Sequence, residues 1–174
     1  MHKVFLTLMA LMILPNVVLA NSPPYIKKYV PKAAEVGSGT LSVFLIDVYD
    51  VGLYAPQGKW VSNKPFALTI NYLIDIKSKD IAKESIRIIR KQGNHSEAAL
   101  AKWHTELMRA IPDVKAGDTI TGIRTKEGHT VFYKNSEMLS KIDDKDFTDA
   151  FFSIWLSQQA ENKTLRNKLL KGAQ

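Results

Sequence analysis

The stretch GTLSVFLIDVYDVGLYA, Gly39 to Ala55, constrains the fold of this chain more than any other segment. It is dense in Val, Leu, Ile, Tyr and Phe, the residues that suit a pleated and half-buried backbone. A typical strand has roughly five or six residues, so this length predicts two paired strands. Leu41, Val43, Leu45, Tyr49, Val51 and Leu53 share one face, interrupted by Asp47, while Phe44, Ile46, Val48 and Tyr54 share the other. Both faces are largely apolar, which predicts cover on both sides and leaves Asp47 as the odd residue.

The rest of the chain supplies partners for this hairpin. Pro56-Gln57-Gly58-Lys59 reads as a turn, and Phe66 to Ile76 as a strand with Leu68, Ile70, Tyr72, Ile74 and Ile76 on one face. Ser78 or Asp80 can cap a helix running to about Gln92 and stopped by Gly93, with Ala82, Ser85, Ile86 and Ile89 inward. Ser96 can cap a second helix in which Leu100, Trp103, Leu107 and Ile111 recur until Pro112. Asp118–Thr125 and Thr130–Lys134 flank Lys126-Glu127-Gly128-His129 as a hairpin, with Ile120, Val131 and Tyr133 inward. A helix from Asp144 or Lys145 carries Phe147, Ala150, Phe151, Ile154 and Trp155 on one broad face, and a short helix spans Thr164 to Leu170. Strands mixed with helices in this order predict an α+β domain.

Lys3, the apolar run Val4–Leu14, the break at Pro15-Asn16 and the short residues Val18 and Ala20 follow the layout of a cleavable secretory signal over 1–20. The run falls well short of the roughly 20 residues that span a bilayer. Residues 21–35, with Pro23, Pro24 and Pro31, are expected as an extended lead-in, and 36–174 as the folded domain. No membrane span is expected after cleavage. The chain has no cysteine, which excludes disulfides, a thiol nucleophile and a lipobox-type anchor, so a packed core must hold the fold. The formal charge of +7 is spread among acidic residues, and the basic clusters Arg87–Lys91 and Lys163–Lys171 lie near helix C-termini. That pattern, without aromatic interleaving, argues against nucleic-acid binding.

Catalytic and cofactor motifs are absent. His2, His95, His104 and His129 have no ligand-spaced partners, and neither a phosphate loop nor a nucleophile elbow occurs, so no metal or cofactor is expected. Gly37-Ser38-Gly39 precedes a strand, not a helix, and reads as a loop or strand entry. The acidic cluster Asp143, Asp144, Asp146 and Asp149 reads as a helix start. What remains is a set of polar residues on predicted strands: Tyr49, Asp47, Tyr72, Tyr54 and Arg124. These are either core residues with hydroxyls at an edge or the polar points of a ligand pocket.

Three stretches, Val48–Ala55, Leu68–Ile76 with the helix after it, and Phe151–Leu156 with Leu165-Arg166 and Leu169-Leu170, together resemble the chalcone isomerase-like family, specifically its bacterial exported branch. The resemblance covers about Val36 to Gly172. It implies an open-faced β-sandwich, a long antiparallel sheet backed by helices, with a cleft that in plant members holds a flavonoid precursor or a fatty acid. Catalytic members place an Arg before the first long strand, a Thr where this chain has Tyr49, and a Tyr and an Asn around the following helix. Here Gly37-Ser38-Gly39-Thr40 has no Arg, Tyr49 replaces the Thr, and Lys77–Ser85 has neither Tyr nor Asn. The reading is therefore a non-catalytic periplasmic protein binding a small lipophilic or acidic ligand, of undetermined oligomeric state. One alternative is an intramolecular isomerase or lyase using Tyr49 as proton donor beside Arg124 or Lys77; another is an envelope structural or interaction protein.

Overall fold

The computed structural model describes residues 22–173; the expected signal segment, 1–20, lies outside them. Six strands, β1 (Ala33–Val43), β2 (Ile46–Pro56), β3 (Phe66–Tyr72), β4 (Thr119–Arg124), β5 (Thr130–Lys134) and β6 (Glu137–Ile142), pair antiparallel in chain order. Around them lie α1 (Pro24–Lys27), α2 (Ser78–Gln92), α3 (Glu97–Ala110), α4 (Lys145–Leu156) and α5 (Lys163–Leu169). This is the expected α+β fold with an open antiparallel sheet backed by helices.

The pleat sends alternate side chains to opposite faces, and each face has its own core. Leu53, Leu68, Ile70, Ile120 and Phe132 pack on one face against Ile89 of α2, Leu107 of α3, Phe151 of α4 and Leu169 of α5. On the other, Ala67, Ile123, Val131 and Tyr133 lie under Ile26 and Val30. Val131 and Tyr133 therefore do not face the same way as Ile120, because Phe132 pairs with Gly122 and takes the helical side.

The described part of the expected extended lead-in 21–35, residues 22–35, is not extended throughout. Pro24 opens α1, where its fixed φ suits the first turn, Ile26 and Val30 are fully buried, and β1 begins at Ala33. The Tyr25 ring stacks on Tyr133 at 4.7 Å. This cover reaches only part of the sheet. Toward the free end of the β1–β2 hairpin, Thr40 bonds Asp50 and Ser42 bonds Asp47 in solvent, and Phe44 and Leu45 are exposed, so the expectation of cover on both faces fails there. Strand β6 has no counterpart in the sequence reading. As an edge strand with only Ile142 buried, it shows no apolar alternation.

Gly37 and Gly39 lie inside β1, beneath α5. A Cβ at Gly37 would stand 2.1 Å from the Lys168 carbonyl oxygen and 2.7 Å from that of Leu169; one at Gly39 would stand 2.8 Å from Leu165 Cδ1. The glycines allow helix backbone to lie on strand backbone.

Helices α3 and α4 start at the expected caps. Ser96 accepts from the Ala99 amide, and Asp144 accepts from the Phe147 amide at 2.9 Å while also taking Lys102 Nζ and Trp103 Nε1. Helix α2 differs. Neither Ser78 nor Asp80 caps it; Asp113, beyond α3, accepts from the Ser78 amide at 2.9 Å, and Ser78 Oγ donates to the Ile111 carbonyl. The cap thus ties α2 to the end of α3.

Ion pairs near the surface make stability sensitive to acid. Arg87 and Lys91 hold the Glu161 carboxyl down at about 2, against an ordinary 4.5, and Lys134 with the Lys115 amide holds Asp118 down at about 2. A depressed carboxylate contributes stability that is complete above its unfolded value and lost as pH falls through the folded one. The thermal unfolding midpoint is therefore expected to stay level from neutrality to about pH 5 and to fall modestly between about pH 4.5 and pH 2, since solvent screens both pairs. A melting series in pH checks this.

Candidate functional site

A cavity of about 370 Å³ lies between the sheet and helices α2 and α4. Strands β2 and β3 form its floor with Tyr49, Leu68, Ile70 and Tyr72. The roof comes from Ile81, Ser85 and Ile88 of α2 and from Phe151, Ile154 and Trp155 of α4. The helical periodicity accounts for the α2 part: Ile81, Ser85 and Ile88 recur at i, i+4 and i+7, a stripe beside the fully packed Ala82, Ile86 and Ile89. Gly122 lets the α4 rings approach the sheet, since a Cβ there would already touch Phe151 and Phe152 at 3.4 Å.

Tyr49 is the polar centre of this cavity. Its hydroxyl oxygen accepts from Trp155 Nε1 at 2.9 Å, and its ring meets Tyr72 edge-on at 6.0 Å. An indole N–H can only donate, so the phenol keeps its own proton for another acceptor. Burial pushes the Tyr49 phenol up to about 12; the Trp155 bond works the other way, and the negative charge of Glu84 adds to the rise. Burial also raises Tyr72, with Tyr49 adding to it.

The charged residues at the cavity are both acidic. Asp80 and Glu84 line it from α2, and among the described residues none of its lining side chains is a Lys, Arg or His. Glu84 pairs with Arg87 at 2.7 Å. The cavity offers apolar walls, the two phenols of Tyr49 and Tyr72, and the carboxylates of Asp80 and Glu84.

Of the five residues singled out in the sequence, Tyr49 and Tyr72 come together at this cavity and the other three lie elsewhere. Asp47 is exposed in the hairpin and accepts from Ser42 Oγ at 2.5 Å. Tyr54 belongs to the opposite face of the sheet, beside Gly52 and Thr69, because its position is odd-numbered from Tyr49 along the pleat. Arg124 is buried at the other end of β4, where Nη1 donates to Asp149 at 2.8 Å in a separate hollow with Trp60 and Lys145. Lys77 is on the surface, paired with Asp113 at 2.9 Å. Neither cation stands beside Tyr49.

Trp155, Glu84 and Ser85 were not among the sequence candidates. The helical periodicity marks Trp155 only as part of an aromatic packing face, and its bond to Tyr49 joins residues 106 apart in the chain. Among the described residues, no group of three His, Asp or Glu side chains could hold a metal ion, and no helix is long and apolar enough to cross a membrane.

A family model described as chalcone isomerase-like matches residues 36–171. No curated protein matches the chain. Among solved structures it is similar to a fatty-acid binding protein of Arabidopsis thaliana, with a TM-score of 0.66 and 13% identity, covering 82% of this chain and 89% of that one. At this identity the likeness shows a shared fold.

Proposed function

The chain belongs to the chalcone isomerase-like family, and we propose that it is a binding protein, not an enzyme, whose cavity between the sheet and helices α2 and α4 holds a small lipophilic molecule with an uncharged polar end. The observation that carries this reading is the cavity's chemistry: apolar walls, two phenols, two carboxylates and no lining cation. Burying a carboxylate without a partner is expensive. The fatty-acid binding neighbour supports a lipophilic ligand; the missing cation favours an alcohol, ester or neutral phenol over a free acid.

The isomerase alternative has less support. A proton donor works best with a pKa near the operating pH, and a phenol pushed up to about 12 is poorly matched to neutral solution. No cation stands ready to stabilise an oxyanion beside it. The layout of residues 1–20 supports export, and the family resemblance supports the periplasm as the place where the protein works.

A thermal-shift panel tests the proposal. Long-chain alcohols, monoacylglycerols or flavonoids should raise the unfolding midpoint, by mass action on the native state. If no member of the panel moves the midpoint, and an organic extract of the purified protein holds no lipophile, the binding reading fails. Tyr49→Phe is expected to weaken binding of a hydrogen-bonding ligand by roughly tenfold, the effect of losing about one hydrogen bond. It also leaves Trp155 Nε1 unpaired, at a cost of about 1–2 kcal/mol in stability. Titration and denaturant melts of the same variant measure the two effects separately.

A further inference from the structure

The end of the β1–β2 hairpin is built against the usual rules for such turns. Val43 pairs with Ile46, and the two residues between them, Phe44 and Leu45, have φ of 48° and 67°. A two-residue turn with both central residues left-handed normally takes Asn or Gly. Bulky residues are strained there. Here they are also 96% and 102% exposed, with Val43 and Ile46 about half-exposed beside them. Neither local conformation nor packing inside the chain favours Phe and Leu at these positions.

We propose that this tip, Val43 to Ile46, inserts into a lipid surface. The four residues carry no charge. One hairpin end is far smaller than the roughly 20–30 residues a side of a stable protein interface, but it matches the shallow burial of an element seated among headgroups. Immediately behind it, Ser42 bonds Asp47 and Thr40 bonds Asp50, a polar collar that would halt entry at headgroup depth. Both collar acceptors are carboxylates, so the seating rests on apolar burial and not on attraction to an anionic surface. The tip is also continuous with the cavity: half-exposed Val43 lines it together with Leu41 and Val48. Seating the tip in lipid would set that end of the cavity against the membrane. The docking stands on the tip alone and would persist if the cavity proved empty.

The test uses vesicles of phosphatidylcholine with a minor share of phosphatidylglycerol and compares the full chain with its Phe44→Asn/Leu45→Gly variant. Both carry the same residues 1–21, so the difference isolates the tip. Asn-Gly suits this turn, so the variant should melt no lower than the parent while its vesicle affinity falls by roughly tenfold or more. In a Phe44→Trp chain, brominated lipid should quench the added indole emission beyond what it does to the parent. Equal vesicle binding by parent and double variant overturns the proposal. So does loss of self-association in the double variant without any change on vesicles, which would make a second copy the occupant.

Discussion

Replacing Gly37 with alanine is expected to lower the unfolding midpoint by roughly 6–10 °C, corresponding to about 2–3 kcal/mol of overpacking. The site is in mid-strand, yet it is not strand propensity that sets the size of the effect, since alanine is tolerated in most strands. The cause is the 2.1 Å separation between a Cβ at this position and the Lys168 carbonyl oxygen, with the Leu169 carbonyl at 2.7 Å. Both obstacles are backbone atoms of α5 and its C-terminus, so no side chain can swing aside. Either the helix lifts from β1 or the strand bends. Leu165 and Leu169, which α5 contributes to the core, would lose packing in the first case. Ser38, between the two glycines, bonds Glu35 in solvent; Ser38→Ala should change the midpoint by no more than about 1 °C, as surface substitutions do. Paired melts of the two variants separate close backbone approach from any general sensitivity of this strand.

Ser85→Trp is expected to reduce affinity for a lipophilic ligand by roughly a hundredfold, about 2.7 kcal/mol, while leaving the fold intact. Ser85 is buried on α2 and faces the cavity. An indole projecting from it would occupy space that the native chain leaves open, so the usual penalty for enlarging a core residue is avoided. A ligand would then compete with a tethered ring. Ile89, one turn along, is instead fully buried in the core, where enlarging the side chain overpacks it. Isothermal titration together with a melt of Ser85→Trp distinguishes a blocked cavity from a damaged core.

The sheet was legible in the sequence wherever a strand has one face buried. The Gly39–Ala55 hairpin, the Phe66 strand and the Asp118–Lys134 hairpin show the alternation that burial imposes, α3 and α4 show their caps, and α2, α3 and α4 show their apolar stripes. Strand β6 was not legible because an exposed edge imposes no pattern, and α1 was hidden by prolines that read equally well as extended chain. Gly37-Ser38-Gly39 reads in sequence as a loop or strand entry, but it lies inside β1, and the reason for its glycines is a helix more than a hundred residues later. The site was half legible for the same reason. Tyr49 and Tyr72 could be placed on one face from the pleat, and they pair across β2 and β3. Arg124 shares the helical side of the sheet but sits at the opposite end of it, a displacement along the strand that residue alternation does not report. Trp155 and Glu84 needed the packing of α4 and α2 onto the sheet.

The central claim is that the cavity lined by Tyr49 and Trp155 selects a neutral lipophile, and a matched pair of ligands tests it most directly. Protein stripped of bound lipophiles is titrated at neutral pH with a long-chain alcohol and with the fatty acid of the same length, following tryptophan emission and confirming each constant by calorimetry. The account predicts saturable binding of the alcohol at one site and an affinity for the acid weaker by roughly tenfold or more, since the carboxylate would lie among Asp80 and Glu84 without a cation. Binding of the acid as tight as or tighter than the alcohol, or no saturable binding of either, would contradict it.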